Sequence, residues 1–188
     1  MAQVNTTRYI ILGLLSHESM SGYDMKKRIE ISVSHFWNVG YSQIYPTLAG
    51  LEKDGLVTKQ NADVSKGPQR YIYAITETGR QSLMDWLRLP EEKEHTRYEI
   101  LVKLFFGAGL PAQYNRQRIA AFRQRYEQQH TMMTQFKEEL AQITEHSPDH
   151  LNYYVTVLFG EYIYNAYIKW ADEALRLLGG ATGGPEKE

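Results

Sequence analysis

The chain has no cysteine in 188 residues. Disulfides, thiolate nucleophiles and cysteine-bound metals are excluded, and a reducing, cytoplasmic setting fits. Long apolar runs are missing too. YIILGLL at 9–15 is far shorter than the roughly 20 residues that span a bilayer, so no membrane partner is expected. The run follows Arg8, as a signal peptide's would, but SHESMSGYD after it offers no small-residue cleavage site. Its helical spacing reads instead as a buried first helix. Neither charge sign dominates: 21 Lys and Arg stand against 22 Asp and Glu, which argues against a strongly basic nucleic-acid binder. No phosphate-cradling glycine motif and no Ser-His-Asp signature occurs. Nothing here predicts an enzyme or a cofactor.

What is present is an ordinary globular composition, 43% apolar and 23% charged. After the first helix at 6–15, Ser21 is placed to cap a second running to about 34, with Met25 and Ile29 as an i, i+4 apolar pair. YSQIYPTLAGLEKDG (41–55) is a third, its Ile44, Leu48 and Leu51 on one face and Gly55 at its stop. LVTKQNA (56–62) and RYIYAI (70–75) then change the period to that of strands, joined by the turn cluster SKGPQ at 65–69. Thr76 to Gly79 opens a fourth helix to about Leu87. The unperiodic segment 89–96, LPEEKEHT, reads as a linker between a domain at 1–88 and a second at 97–179.

Three helices and a β-hairpin are the parts of a winged helix-turn-helix. In that arrangement the third helix meets the major groove with its N-terminal end, and the hairpin reaches along the backbone. Ile44, Leu48 and Leu51 would anchor the helix while Ser42, Gln43, Tyr45 and Thr47 stay on the leading end. Gln pairs bidentately with adenine, and Ser or Thr with several base edges. Lys66 and Arg70 at the hairpin tip suit phosphates, Gly67 allows close approach there, and Lys53 and Lys59 add to the field. A self-capping helix end and an ordinary soluble hairpin are the plainer readings of the same residues.

The second domain reads as helical. YEILVKLFF (98–106) is a short apolar helix. The long helix at 111–145 carries Ile119, Phe122, Tyr126, Met133, Phe136, Leu140 and Ile143 in steps of three and four, interrupted at Gln129. That is a heptad seam. The last helix, 151–178, is apolar nearly all round: Leu151, Val155, Leu158 and Tyr162 on one face, and Ile163, Tyr167, Trp170, Ala174 and Leu177 on another. One chain cannot cover both faces, so a homodimer is expected, seated on the seam residues with Leu158, Tyr162 and Trp170. The Gly-rich end, 180–188, reads as a flexible tail. The fold class is thus mainly α with a small β-hairpin: a winged helix-turn-helix followed by a helical dimerisation domain with a coiled-coil-like helix.

ILGLLSHESMSGYDMKKRI (11–29), FWNVGYSQIYPTLAGLEKDGLV (36–57) and RYIYAITETGR (70–80) together resemble the PadR family of bacterial transcriptional regulators. Within them Gly22-Tyr23, Ile44-Tyr45-Pro46, Gly55-Leu56 and Tyr73-x-Ile75-Thr76-x-x-Gly79 fall in the family's order. FW followed by YSQIYP is nearest to its phenolic-acid-responsive repressor. EILVKLFFG (99–107) and the end of the last helix resemble the C-terminal domain of virulence activators of the AphA type. The resemblance implies a homodimer on a palindromic double-stranded operator, with Ser42, Gln43 and Tyr45 carried to the DNA. It also implies that Tyr23 touches the DNA backbone, although packing would explain that tyrosine equally.

With 14 tyrosines and three tryptophans, a flat pocket for a small aromatic effector has candidates in Tyr9, Trp37, Tyr41, His150, Tyr153, Tyr154 and Trp170. Aromatics at helical spacing are more often core. Three rivals stay open: a related regulator of an efflux or virulence gene with a different effector or none, a dimeric interaction module without DNA, and an enzyme. The last has only Glu127 and His130, one E-x-x-H step where a di-iron site needs two and further glutamates.

Overall fold

The computed structural model describes residues 5–37, 39–61, 71–91 and 96–180. The chain divides into two compact units, Met1–Lys93 and Glu94–Glu188. The expected hairpin tip with Lys66, Gly67 and Arg70, part of the linker and most of the tail lie outside the described residues.

The first unit is built on three helices whose apolar spacing has a common interior. Helix α1 (Thr6–His17) turns Ile11, Leu12 and Leu15 inward. Strand β1 (Met20–Ser21) leads into α2 (Gly22–Ile31), which begins because Ser21 Oγ accepts from the Asp24 N–H at 3.2 Å. Met25 and Ile29 are its buried pair. A short 3-10 turn, Val33–His35, precedes α3 (Tyr41–Lys53). Ile44, Leu48 and Leu51 are at most 1% exposed, and each such side chain contributes on the order of 1.5–3 kcal/mol.

Helix α3 ends in a Schellman motif: Gly55 N–H reaches the Glu52 carbonyl and Leu56 N–H the Leu51 carbonyl, with Gly55 at φ +71°. The chain leaves it straight into β2 (Val57–Asn61), which pairs antiparallel with β3 (Tyr71–Ile75). Strand β3 also pairs with β1, so the sheet order is β1-β3-β2 with Tyr73 between Met20 and Lys59. A two-residue strand is too short to show alternation, and the sequence reading omits β1 for that reason. Helix α4 (Glu77–Leu87) is capped by Thr76, whose Oγ1 accepts from Gly79 N–H at 3.0 Å and donates to the Gly55 carbonyl at 2.8 Å.

In the second unit, α5 (Glu99–Phe105) stops at the 3-10 turn Gly107–Gly109. Helix α6 (Ala112–Ala141) is followed by a second 3-10 turn, Thr144–His146, and by α7 (Pro148–Gly180). The expected helix to residue 145 is therefore shorter, with Ile143 beyond its end. Helices α6 and α7 form an antiparallel hairpin. Phe122 meets Trp170 with ring centroids 5.3 Å apart, Gly160 approaches Met133, and Lys137 Nζ lies 2.5 Å from Glu161 Oε1. The small Gly160 makes that approach workable, since an added Cβ would sit 3.0 Å from Met133 Sδ.

This pairing corrects the seam. Ile119, Phe122 and Met133 are buried within the chain. Tyr126, Tyr167 and Trp170 pack around Phe122 and Ile119 on the same hairpin. Periodicity marks a face that must be covered, and α7 of the same chain covers it. Phe136, Leu140 and Leu158 are half-buried. Exposed large apolar residues in the unit include a row on α7, Leu151, Val155, Phe159 and Tyr162, and a group at α5, Leu101, Val102 and Phe105 with Phe106 after it.

Candidate nucleic-acid interface

The apolar back of α3 leaves its front half outside. Ser42 and Gln43 are exposed, and Tyr45 is 60% exposed. Gly40, the residue before the helix, gives no side-chain cap, and the first turn carries no acidic residue. Pro46 lacks the N–H that would bond the Ser42 carbonyl, so an acceptor is left at the leading end. Thr47 does not belong to this set. It is 9% exposed, because position 47, three residues after Ile44 and four before Leu51, lies along the edge of the inward face.

Helix α2 shapes the same end. Gly22 lies against Tyr45, and a Cβ there would fall 2.7 Å from the Tyr45 ring. Tyr23, next to that contact, is 52% exposed, which removes the reading of it as a half-buried packing residue. Lys27 Nζ stands 4.7 Å from the centre of the Tyr23 ring, and Lys26 Nζ 4.5 Å from that of Tyr41. Tyr41 hydrogen-bonds Glu30, and that bond, more than its slight desolvation, raises its pKa above the ordinary tyrosine value. On the sheet side, Lys59 Nζ lies 3.9 Å from the Tyr71 ring centre. Burial raises the pKa of Tyr73, Lys59 lowers it, and Glu52 and Tyr45 raise it further. Sequence reading gave no role to Lys26, Lys27 and Tyr71, and named Gly22 only as a motif member. The only signal was Gly22-Tyr23 itself, since a glycine at a helix start has no local use without a neighbour that needs the space.

Within the first unit the effector candidates have separate packing roles. Tyr9 stacks on Trp86, ring centroids 4.6 Å apart and nearly parallel, as part of the α1–α4 packing. Tyr41, the first residue of α3, is engaged by Lys26 and Glu30 of α2, and Trp37 is exposed after the 3-10 turn. In the second unit, His150, Tyr153 and Tyr154 share the first turns of α7. There His150 Nδ1 donates to the Ile143 carbonyl at 3.0 Å, which leaves Nε2 as the free ring nitrogen. Trp170 is committed to Phe122. The largest aromatic group is core: Phe122, Tyr126, Tyr164, Tyr167 and Trp170, with the Tyr98 and Tyr167 hydroxyls bonded to each other. Burial, then that bond, holds the Tyr167 pKa well above the usual value. Among the described residues no group of three or more His, Asp or Glu could hold a metal, and no helix is long and apolar enough to cross a membrane.

Residues 11–85 match the transcriptional regulator PadR-like family, and residues 96–179 the virulence activator alpha C-terminal domain. A solved protein of Streptococcus mutans, smu.1604c, is 32% identical over 90% of this chain and 98% of its own, with a TM-score of 0.76. The chain belongs to the PadR-like family of transcriptional regulators. Bacillus subtilis PadR, described as a negative transcriptional regulator, is 34% identical over 107 residues, which are 56% of this chain and 59% of that protein. The chain thus matches less than two thirds of that curated PadR-like relative. The structure of B. subtilis PadR with operator DNA superposes at a TM-score of 0.82, with 25% identity, over 94% of this chain and 99% of the other. Its complex with p-coumaric acid gives 0.73 at 26% identity, over 92% and 98%. The Vibrio cholerae virulence activator AphA gives 0.65 at 26% identity, over 92% and 98%. The winged-helix fold is common to these PadR-like proteins and this one.

Proposed function

We propose that this protein is a cytoplasmic, homodimeric repressor that binds an inverted-repeat operator through α3 and is released by a small planar aromatic acid. The observation that carries the reading is the front of α3. Ser42, Gln43 and Tyr45 project from a helix whose opposite side is anchored by three fully buried aliphatics. Hydrogen-bonding side chains on a rigid, protruding helix end suit base edges in the major groove. The B. subtilis relative, solved with operator DNA and with p-coumaric acid, supports both the partner and the effector class. Two-fold related α3 ends would address half-sites about one helical turn, roughly 34 Å, apart. Tyr23 joins this set, and Lys66, Gly67 and Arg70 of the wing complete it in the proposal. Ligand release requires that the effector prefer a dimer geometry unable to span both half-sites.

The test is fluorescence anisotropy on a labelled duplex from directly upstream of the protein's own gene, with and without p-coumarate. Tight binding that p-coumarate abolishes is the expected result. Binding indifferent to p-coumarate removes the phenolic effector and keeps the repressor. No binding there or to a random duplex pool removes the DNA reading and leaves a dimeric interaction module.

Gln43 supplies a sharper expectation. A bidentate base contact is worth about 1–3 kcal/mol of discrimination, so Gln43→Ala should weaken operator binding by roughly 5- to 150-fold and leave non-specific duplex binding nearly unchanged. Equal losses on both duplexes in a competition titration would assign Gln43 to the backbone instead.

A further inference from the structure

The basic side chains of the first unit divide into two kinds. Its described arginines are committed within the fold: Arg8 to Asp54 at 2.6 Å, Arg28 to Glu18 at 2.5 Å, Arg88 to Asp85 at 2.9 Å, and Arg80 to the Ser16 carbonyl. Three lysines are held differently, each with its ammonium over a tyrosine ring: Lys26 on Tyr41, Lys27 on Tyr23 and Lys59 on Tyr71. Among the described residues their nearest carboxylate contact is loose, Lys26 to Glu30 at 4.0 Å.

These pairs adjoin one place. Tyr41 is the first residue of α3. Tyr23 follows Gly22, which touches the Tyr45 ring. Lys59 faces Tyr73 across the sheet, and Tyr73 in turn feels both Lys59 and Tyr45. Each ammonium group is thus tied through a tyrosine to the first turns of α3: Lys26 directly by Tyr41, Lys27 by Tyr23 beside the Gly22–Tyr45 contact, and Lys59 by the strand β3 on which Tyr73 sits near Tyr45. A ring beneath an ammonium limits where its flexible stem can wander without neutralising its charge. A carboxylate partner would neutralise it.

We infer that Lys26, Lys27 and Lys59 form a phosphate-contacting set that seats the duplex backbone around the base-reading end of α3. The assignment rests on the DNA-binding reading above. It accounts for how a chain of net charge −1 could hold a polyanion: the charge is placed locally, and the arginines are kept out of it. Lys53, in the last turn of α3, lies at the far end of the same helix and outside the set.

The probe is the strongest-binding duplex that the wild-type protein selects from a random pool, titrated by anisotropy over a series of salt concentrations. Lys→Gln changes keep the stem and remove the charge. K26Q, K27Q and K59Q should each flatten the log–log salt slope by about 0.9 per bound subunit, and the triple variant by about 2.7, while K53Q leaves it unchanged. Far-UV circular dichroism establishes that the variants are folded. An unchanged slope in the folded triple variant overturns the assignment with the DNA reading intact. So does a K53Q effect equal to the others, which would make the field general rather than placed. If the wild-type protein selects no duplex at all, the DNA reading falls and this assignment with it.

Discussion

Gly79→Ala is expected to unfold the first unit at a temperature roughly 12–24 °C below the wild type. Propensity alone predicts the reverse, since alanine in a helix is favoured over glycine by about 1 kcal/mol. The geometry overrules it. A Cβ at position 79 would lie 2.1 Å from the Leu56 carbonyl oxygen, 3.1 Å from the Leu56 carbonyl carbon and 2.9 Å from Ile75 Cγ1. The first two are backbone, so no rotamer change relieves them. That carbonyl is itself occupied, accepting from Thr76 N–H at 3.0 Å. The start of α4 must move off the start of β2, which breaks the Thr76 bonds to Gly55 and Gly79 together. Overpacking costs about 1–3 kcal/mol where side chains can yield, so backbone obstruction puts this change at about 3 kcal/mol or above. For a unit of this size each kcal/mol shifts the melting point by about 4–8 °C. Thermal unfolding followed by tryptophan fluorescence in a Trp170→Phe background, which leaves Trp37 and the Trp86 ring stacked on Tyr9 as reporters, reads this unit. A melting point equal to or above the wild type would show that the α4 start can move at no cost.

The same junction marks where sequence reading reaches and where it stops. The caps were legible because their chemistry is local: Ser21 before α2, Thr76 before α4 and Gly55 after α3 each satisfy backbone groups within a few residues. The buried face of α3 was legible from its period. Thr47 was not, because a hydroxyl suggested an outward role while its position, three after Ile44 and four before Leu51, turned it inward. Gly22 and Gly79 were visible as motif members but not as spaces, since the groups that need the room, Tyr45 and the Leu56 carbonyl, are distant in sequence. Burial of an apolar stripe could be read from α6, but not the identity of its cover. Ile119, Phe122 and Met133 meet α7 of their own chain, and only the α6–α7 hairpin reveals that.

With the α6 seam covered within the chain, the expected dimer contact rests on the α7 face of Leu151, Val155 and Tyr162 that the sequence already marked, where Phe159→Lys should have the second largest effect. Phe159 and Tyr162 are 65% and 66% exposed, in line with Leu151 and Val155. Their spacing of four, four and three keeps them on one side of the helix, opposite the buried Ala171 and the Gly160 that meets Met133. An apolar row of this length on a helix otherwise packed on one side is the kind of patch a second copy covers. In a two-fold interface each substitution acts twice. A central aromatic anchor contributes about 2 kcal/mol or more, so the pair of changes removes about 4 kcal/mol and weakens dimerisation roughly 1000-fold. Operator affinity should then fall by about 100-fold or more, because the second half-site no longer gains from the first. Sedimentation velocity over a concentration series measures the first effect. Far-UV circular dichroism checks that α7 persists, as it should with its packed face untouched. A variant that stays dimeric while the wild type is dimeric would transfer the interface to the other exposed apolar surface, the Phe105 and Phe106 side of α5.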